Sequence, residues 1–179
     1  MVLFFILAAG SYFDVREHRI PNWLIFVGMA TGLLLSGMAT GREGQNQAAL
    51  WVMMFFLGRF LIVTAAFFLL FLCRMIGAGD IKIIALICAY LGYGNGSTAV
   101  AAGFLIGAIW SLVLMTVKGS TFHRFSYFLT YFRSFIQTKK ITAYYSSSRD
   151  GYDAVIPLGF CMFLGTLLAV VFCQPGGLL

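Results

Sequence analysis

Charge is what this chain has least of. Only 10% of its 179 residues are Asp, Glu, Lys or Arg, and only six are acidic. A soluble globular domain carries about 25% charged residues. That shortage, with 61% hydrophobic residues, excludes an ordinary soluble enzyme or binding module and predicts a polytopic membrane protein. The cysteines are also uninformative as chemistry. Cys73, Cys88, Cys161 and Cys173 lie in or beside apolar runs, with no CxxC and no Cys/His spacing. They read as small buried apolar residues, which excludes a disulfide framework and a metal centre. A basic n-region is missing as well. Met1–Phe13 is apolar and its charges follow it, the reverse of a cleaved signal peptide, so a retained helix is expected. The net charge of +6 would suggest nucleic acid in a soluble protein. In a chain this apolar, the excess of Lys and Arg in cytoplasmic loops explains it better, and no nucleic-acid partner is expected.

Against that background one stretch stands out, Gly77-Ala78-Gly79-Asp80-Ile81-Lys82. It follows the apolar block Leu50–Cys73 and precedes Ile83–Leu91. An ionisable group so placed sits at or below a bilayer surface, where it is costly and usually functional. Two glycines one residue apart let backbone approach backbone, or a bound peptide, with no Cβ between. A single aspartate here can be a proton site, an ion ligand or a catalyst. Just one other acid has a comparable setting, Asp14 in Asp14-Val15-Arg16-Glu17-His18-Arg19.

Hydropathy predicts an all-α fold of six transmembrane helices in one membrane-embedded domain, residues 1–179. Met1–Phe13 is too short to cross a core about 30 Å thick, so helix 1 is expected to run on through Asp14 toward Arg19. Helix 2 starts near Ile20-Pro21-Asn22, where proline suits a first turn, and reaches about Ala39. Thr40–Gln47 is a polar turn. Helix 3 spans about Ala48–Cys73 with Arg59 in its middle, expected to face the bundle, water or a partner in a structural role. Arg74–Gly79 is a glycine-bearing link. Helix 4 runs from about Asp80 to Leu91, Gly92–Ser97 is an uncharged turn, and helix 5 covers about Thr98–Val117. Residues 118–153 form the one long polar connection. Its aromatic and basic half, Phe122–Ile136, suits an interfacial segment gripping anionic headgroups, and Gln137–Asp153 is expected to be mobile. Helix 6 covers about Ala154–Cys173.

Six spans put both termini on one side. The opposite loops then hold Arg16, Arg19, Arg74, Lys82, Lys118, Arg124, Arg133, Lys139, Lys140 and Arg149, against Arg42 alone on the terminal side and Arg59 within a span. This asymmetry predicts termini outside and basic loops in the cytoplasm. It also puts Asp14 and Asp80 at the same, cytoplasmic, end of their helices. Two close carboxylates do not both ionise, so one keeps its proton. The pair then offers a base to deprotonate water and an acid to polarise a carbonyl. The plainer reading makes each a helix cap or an ion partner, of Arg16 and Arg19 for Asp14, and of Arg74 and Lys82 for Asp80. Glu17, Glu43, Asp150 and Asp153 read as solvated loop acids, and His18 and His123 as interfacial residues and not ligands.

Gly77-Ala78-Gly79-Asp80-Ile81-Lys82 resembles the GxGD-x-K signature of the type IV prepilin peptidases. Asp14 followed by Ile20-Pro21-Asn22 resembles that family's first-aspartate segment. Ile156-Pro157-Leu158-Gly159, with Gly165, resembles the pattern that opens its final helix. The resemblance implies a bacterial inner-membrane aspartic endopeptidase of pilus or secretion systems. Such enzymes cut prepilin or pseudopilin leaders after a glycine, at the cytoplasmic face, without a cofactor or metal. By carry-over, Asp14 and Asp80 are the catalytic pair, while Gly77, Gly79, Lys82, Pro21 and Asn22 serve substrate or backbone approach. Only a few residues separate Asp14 from helix 2, and no CxxC insert is present. This is similar to the short form found in tight-adherence pilus systems, and methyltransferase activity is predicted absent. Two other functions are compatible with the aspartates as residues: a proton- or cation-coupled carrier using them as relays, and a structural assembly factor using them as caps. The substrate's identity and the oligomeric state are not legible.

Overall fold

A computed structural model describes residues 1–17, 19–41, 46–73, 76–117 and 157–173. Among them every regular element is an α-helix: α1 (Val2–Glu17), α2 (Asn22–Gly41), α3 (Asn46–Leu72), α4 (Ala78–Val117) and α5 (Leu158–Cys173). The interfacial segment expected within 118–153 lies outside the described residues, as do His18, Glu43 and the C-terminal tail.

Helix 1 does run past Asp14, ending at Glu17. Two boundaries differ from expectation. The final helix starts at Leu158 and not near Ala154, because Pro157 stands outside it and its carbonyl accepts the first helical bond from the Cys161 N–H. The turn expected over Gly92–Ser97 narrows to one residue. Gly92 alone leaves helical geometry, at φ 80° and ψ 175°. That left-handed φ is one only glycine adopts without strain, so a single residue suffices to break α4. The residues after it stay helical, and Ser97 and Thr98 turn their hydroxyls back onto the carbonyls of Gly94 and Asn95.

The break is a sharp one. A Cβ placed on Gly96 would lie 2.7 Å from the Cα of Cys88. In a straight helix, residues eight apart are separated by ~12 Å along the axis. The chain therefore folds back at Gly92, and α4 comprises two limbs, 78–91 and 93–117. The second limb runs antiparallel to α5. Ala99 and Gly103 meet Gly165, Gly103 also meets Met162, and Gly107 faces Leu158 and Cys161.

The first limb is the centre of the bundle. Ile83, Ile84, Ala85, Leu86 and Ile87 are all buried, packed by Leu3, Ile6 and Leu7 of α1, Leu24 and Ile25 of α2, Val63 of α3 and Met162 of α5. A helix buried on every side needs apolar residues all round, and 83–87 supplies them. The outside is equally apolar, with Phe26 at 73% exposure, Leu69 at 67% and Phe5 at 76%. Soluble surfaces rarely carry contiguous patches of this kind. Two stretches, Ala49–Leu72 and Ala78–Leu114, are long and apolar enough to cross a membrane, and Asn22–Met38 and Leu158–Phe172 are shorter apolar helices. Cys88 and Cys161 are buried free thiols and Cys73 is half-buried and free, as expected of apolar fillers.

Candidate functional site

Three helix ends meet where the aspartates lie. Asp14 sits in the last turn of α1 and is buried, 8% exposed. Asp80 sits in the first turn of α4. The two are close enough for the charge of Asp14 to act on Asp80.

Each carboxylate rests on a glycine backbone at a helix start. For α4, the Gly77 carbonyl accepts from the Ile81 N–H, which makes Gly77 the N-cap residue. Asp80, three residues on, accepts the Gly77 N–H, which is half of a capping box. For α5, Pro157 holds the N-cap position and has no side-chain acceptor to offer. The Gly159 N–H, one of the orphan donors of the first turn, is taken instead by Asp14 Oδ2 at 2.7 Å. The aspartate of α1 thus caps a helix more than a hundred residues away. Both carboxylates lie at the positive end of a helix dipole. The cap reading is realised for each, and Asp14 does it across the bundle. Arg16 points elsewhere, donating to the Tyr12 hydroxyl at 2.5 Å.

Both approaches are tight enough to favour glycine. A Cβ on Gly159 would sit 2.9 Å from Asp14 Oδ2, and one on Gly77 would sit 3.0 Å from Asp80 Oδ2. Gly79 serves a different contact. Its Cβ would press on Ile20 at 3.2 Å, so Gly79 admits the residue just before Pro21 and Asn22. One turn further, Lys82 Nζ donates to Asn22 Oδ1 at 2.7 Å. The carbonyl of Pro21, in turn, accepts from the Leu24 N–H and opens α2. The Ile-Pro-Asn block and the Gly-Asp-Ile-Lys block, some sixty residues apart, are therefore docked on each other. Of the residues singled out in the sequence, Asp14, Asp80, Gly77 and Gly79 gather at this junction, and Pro21, Asn22 and Lys82 brace it. Lys82 belongs to helix α4 and not to the loop before it.

Ser11 was not anticipated. It is buried, and its hydroxyl donates to the Leu7 carbonyl at 2.8 Å, with the Gly159 carbonyl a second acceptor at 3.3 Å. The available signal was its spacing. Ser11 lies one turn before Asp14 on the same helix face, so both touch Gly159. Ser11→Ala should lower stability by about 1 kcal/mol, the net value of one such bond. It should slow the protein's reaction less than tenfold, because the Asp14–Gly159 bond stays. Thermal unfolding in detergent and turnover of the same sample check both numbers.

Residues 1–112 match the family model of the type IV leader peptidase family. The chain belongs to that family. No curated protein and no solved structure matches it. The match takes in both aspartates, the Ile-Pro-Asn block and Gly77–Lys82. The Gly159 donor of this leader peptidase lies beyond it, in α5. Among the described residues no group of three His, Cys, Asp or Glu side chains could hold a metal ion.

The glycines give a test that separates geometry from insertion. Gly79→Val adds a β-branched side chain against Ile20. It should cut the leader peptidase's activity at least tenfold while membrane insertion and helix content stay near wild type. Cleavage rate beside circular dichroism of the purified variant checks this, and full activity would reduce Gly79 to turn punctuation.

Proposed function

We propose that this leader peptidase is an aspartic endopeptidase in which Asp14 and Asp80 act together on the leader of a prepilin or pseudopilin. One observation carries the reading: two carboxylates from helices remote in sequence share one site, each held by a backbone N–H. Charges that close favour a state with one proton between them. The ionised member takes a proton from water as that water attacks the scissile carbonyl. The protonated member donates a hydrogen bond to the carbonyl oxygen, and a proton then passes to the leaving nitrogen as the C–N bond breaks. No metal or cofactor enters.

The chain is read as six spans, counting the two limbs of α4 separately, in the bacterial inner membrane with termini outside. The ten-to-one distribution of Lys and Arg between its loops supports that orientation. The aspartates then lie near the cytoplasmic face, where a leader emerges from its apolar stalk. A reporter inserted within residues 137–148 is expected to read as cytoplasmic and one after Leu179 as external; both on one side would refute six spans. The function itself is tested by incubating the purified protein with a candidate prepilin and sequencing the new N-terminus. Cleavage after the leader's last glycine is the expected result, and an intact substrate across several prepilins overturns it.

A further inference from the structure

The apolar helices of this bundle come in two lengths. Ala49–Leu72 of α3 and the second limb of α4 as far as Leu114 are long, while Asn22–Met38 of α2 and Leu158–Phe172 of α5 are short. The long pair rise ~36 and ~33 Å and the short pair ~26 and ~23 Å, against a hydrocarbon core of about 30 Å. Contacts put equal lengths side by side. Gly10 and Phe13 of α1 meet Leu24 and Trp23 of α2, and Asp14 of α1 meets Gly159 of α5. Phe67 of α3 stacks on Phe104 of the second limb, with ring centroids 6.4 Å apart. Helices α5, α1 and α2 therefore form one flank around the first limb, and α3 with the second limb forms the other.

The difference arises on the side of the aspartates. Gly107 faces Leu158 and Cys161 at the start of α5, so it marks the level at which Gly159 holds Asp14. From that level toward the opposite side, the second limb rises ~21 Å to Tyr93 and α5 ~20 Å to Phe172. These far ends are level, so a tilt of the whole bundle does not explain the mismatch. Toward the aspartate side the second limb stays apolar as far as Leu114, ~10 Å more. On the short flank the same level is already polar. Arg16, Glu17 and Arg19 are exposed, and Lys82 Nζ donates to Asn22 Oδ1 at 2.7 Å. An arginine or lysine can snorkel several ångströms to reach water, but Glu17 and Asn22 have shorter side chains. Charge is costly in hydrocarbon, so the headgroup region reaches down to the aspartates beside α1 and α2. Beside the second limb it stands ~10 Å further out. Thinning of the bilayer is one way in which a span shorter than the core is accommodated.

We propose that the flank of α5, α1 and α2 is a surface for thinned bilayer, whose headgroup region dips to the level of Asp14 and Asp80 and brings water to them. The flank of α3 and the second limb keeps the membrane at full thickness. This rests on the membrane-spanning reading and is independent of peptidase chemistry. Two of the chain's three tryptophans report on it directly. Trp23, against Phe13, stands at the aspartates' level on the short flank. Trp110 stands on the long flank, three residues beyond Gly107 and so ~5 Å nearer the aspartate-side surface. They are 56% and 48% exposed, so both meet their surroundings. A flat bilayer makes Trp110 the shallower of the two, and a thinned flank makes it the deeper. Single-tryptophan proteins are made with Trp51→Phe and either Trp23→Phe or Trp110→Phe, and placed in phosphatidylcholine vesicles. Lipids brominated deep in their acyl chains should quench Trp110 at least twofold more than Trp23, and iodide on both sides should do the reverse. Equal quenching, or a deeper Trp23, overturns the proposal. A second arm uses the unsubstituted protein and decides should the variants fail to fold by circular dichroism. Cleavage of a prepilin should slow at least fivefold from 14-carbon to 22-carbon monounsaturated chains, as a thicker core draws hydrocarbon over the aspartates. Equal rates overturn the proposal. A protein that cleaves in no lipid fails the peptidase reading alone, and the tryptophan depths still decide this one.

Discussion

Asp14→Asn and Asp80→Asn are each expected to lower cleavage of a prepilin by about a thousandfold or more, with the protein still folded. The size follows from the roles. General acid and general base catalysis are each worth about 10² to 10⁴ in rate, and neither residue alone can serve as both. Asparagine is the informative replacement because of what the two carboxylates also do. Asp14 accepts the Gly159 N–H at 2.7 Å, and Asp80 accepts the Gly77 N–H. An asparagine carbonyl can accept both bonds, and asparagine is about as good a helix cap as aspartate. The substitution keeps the caps and removes the proton chemistry. If the aspartates are caps only, as an assembly factor would have them, the Asn variants behave as wild type in every assay. If they are catalytic, the Asn variants unfold at near-normal temperature and do not turn over. Alanine would confuse the two, since it strips the Gly159 and Gly77 donors of their acceptors at a cost of about 1 kcal/mol or more each. The measurement is single-turnover cleavage beside a melting curve. Turnover within tenfold of wild type in either Asn variant would falsify the dyad.

That the caps and the proposed catalytic pair are the same carboxylates bears on what could be read beforehand. The aspartates were legible because charge is so scarce in this chain that each acid in an apolar setting stands alone. Helix existence was legible too, since runs such as Leu50–Cys73 leave no alternative. The contacts between motifs were not. Nothing in the spacing of Asp14 and Gly159 says that one caps the other, because the bond closes across 145 residues. The docking of Ile20 on Gly79 and of Asn22 on Lys82 is likewise a property of the folded bundle. The turn at Gly92 was overestimated for a local reason. Gly94, Asn95, Gly96 and Ser97 are residues of turn-forming types, yet a single left-handed glycine already reverses the chain, and the others remain helical. Ser11 was missed because a serine in an apolar helix looks like filler until its neighbour one turn on is found to share its partner.

The largest effect on stability is expected far from the aspartates, at Gly165. A Cβ there would stand 2.5 Å from the Gly103 Cα and 2.8 Å from the Ala99 carbonyl, and closer still to the Gly103 nitrogen. These are backbone atoms and cannot swing aside. The second limb of α4 offers Ala99, Gly103 and Gly107 at four-residue spacing, one small face along a helix. Close packing across such small-residue faces is a principal source of helix association in membranes, where burial of apolar surface contributes little. Gly165→Val must therefore push α5 off the second limb along much of its length. Overpacking of a core by a few methyl groups costs typically 1–3 kcal/mol when side chains can yield. Here only backbone can yield, so a loss of about 3 kcal/mol or more is expected. Gly58→Val is the matched control, because nothing lies within 4 Å of a Cβ at that position of α3. Fluorescence-detected size-exclusion after a heat step should recover Gly58→Val like wild type and little of Gly165→Val. The same displacement reaches the site, since α5 carries the Gly159 N–H to Asp14. Whatever Gly165→Val survives at low temperature should therefore cleave poorly per folded molecule. Wild-type melting and wild-type turnover in Gly165→Val would show that α5 and the second limb do not meet as described.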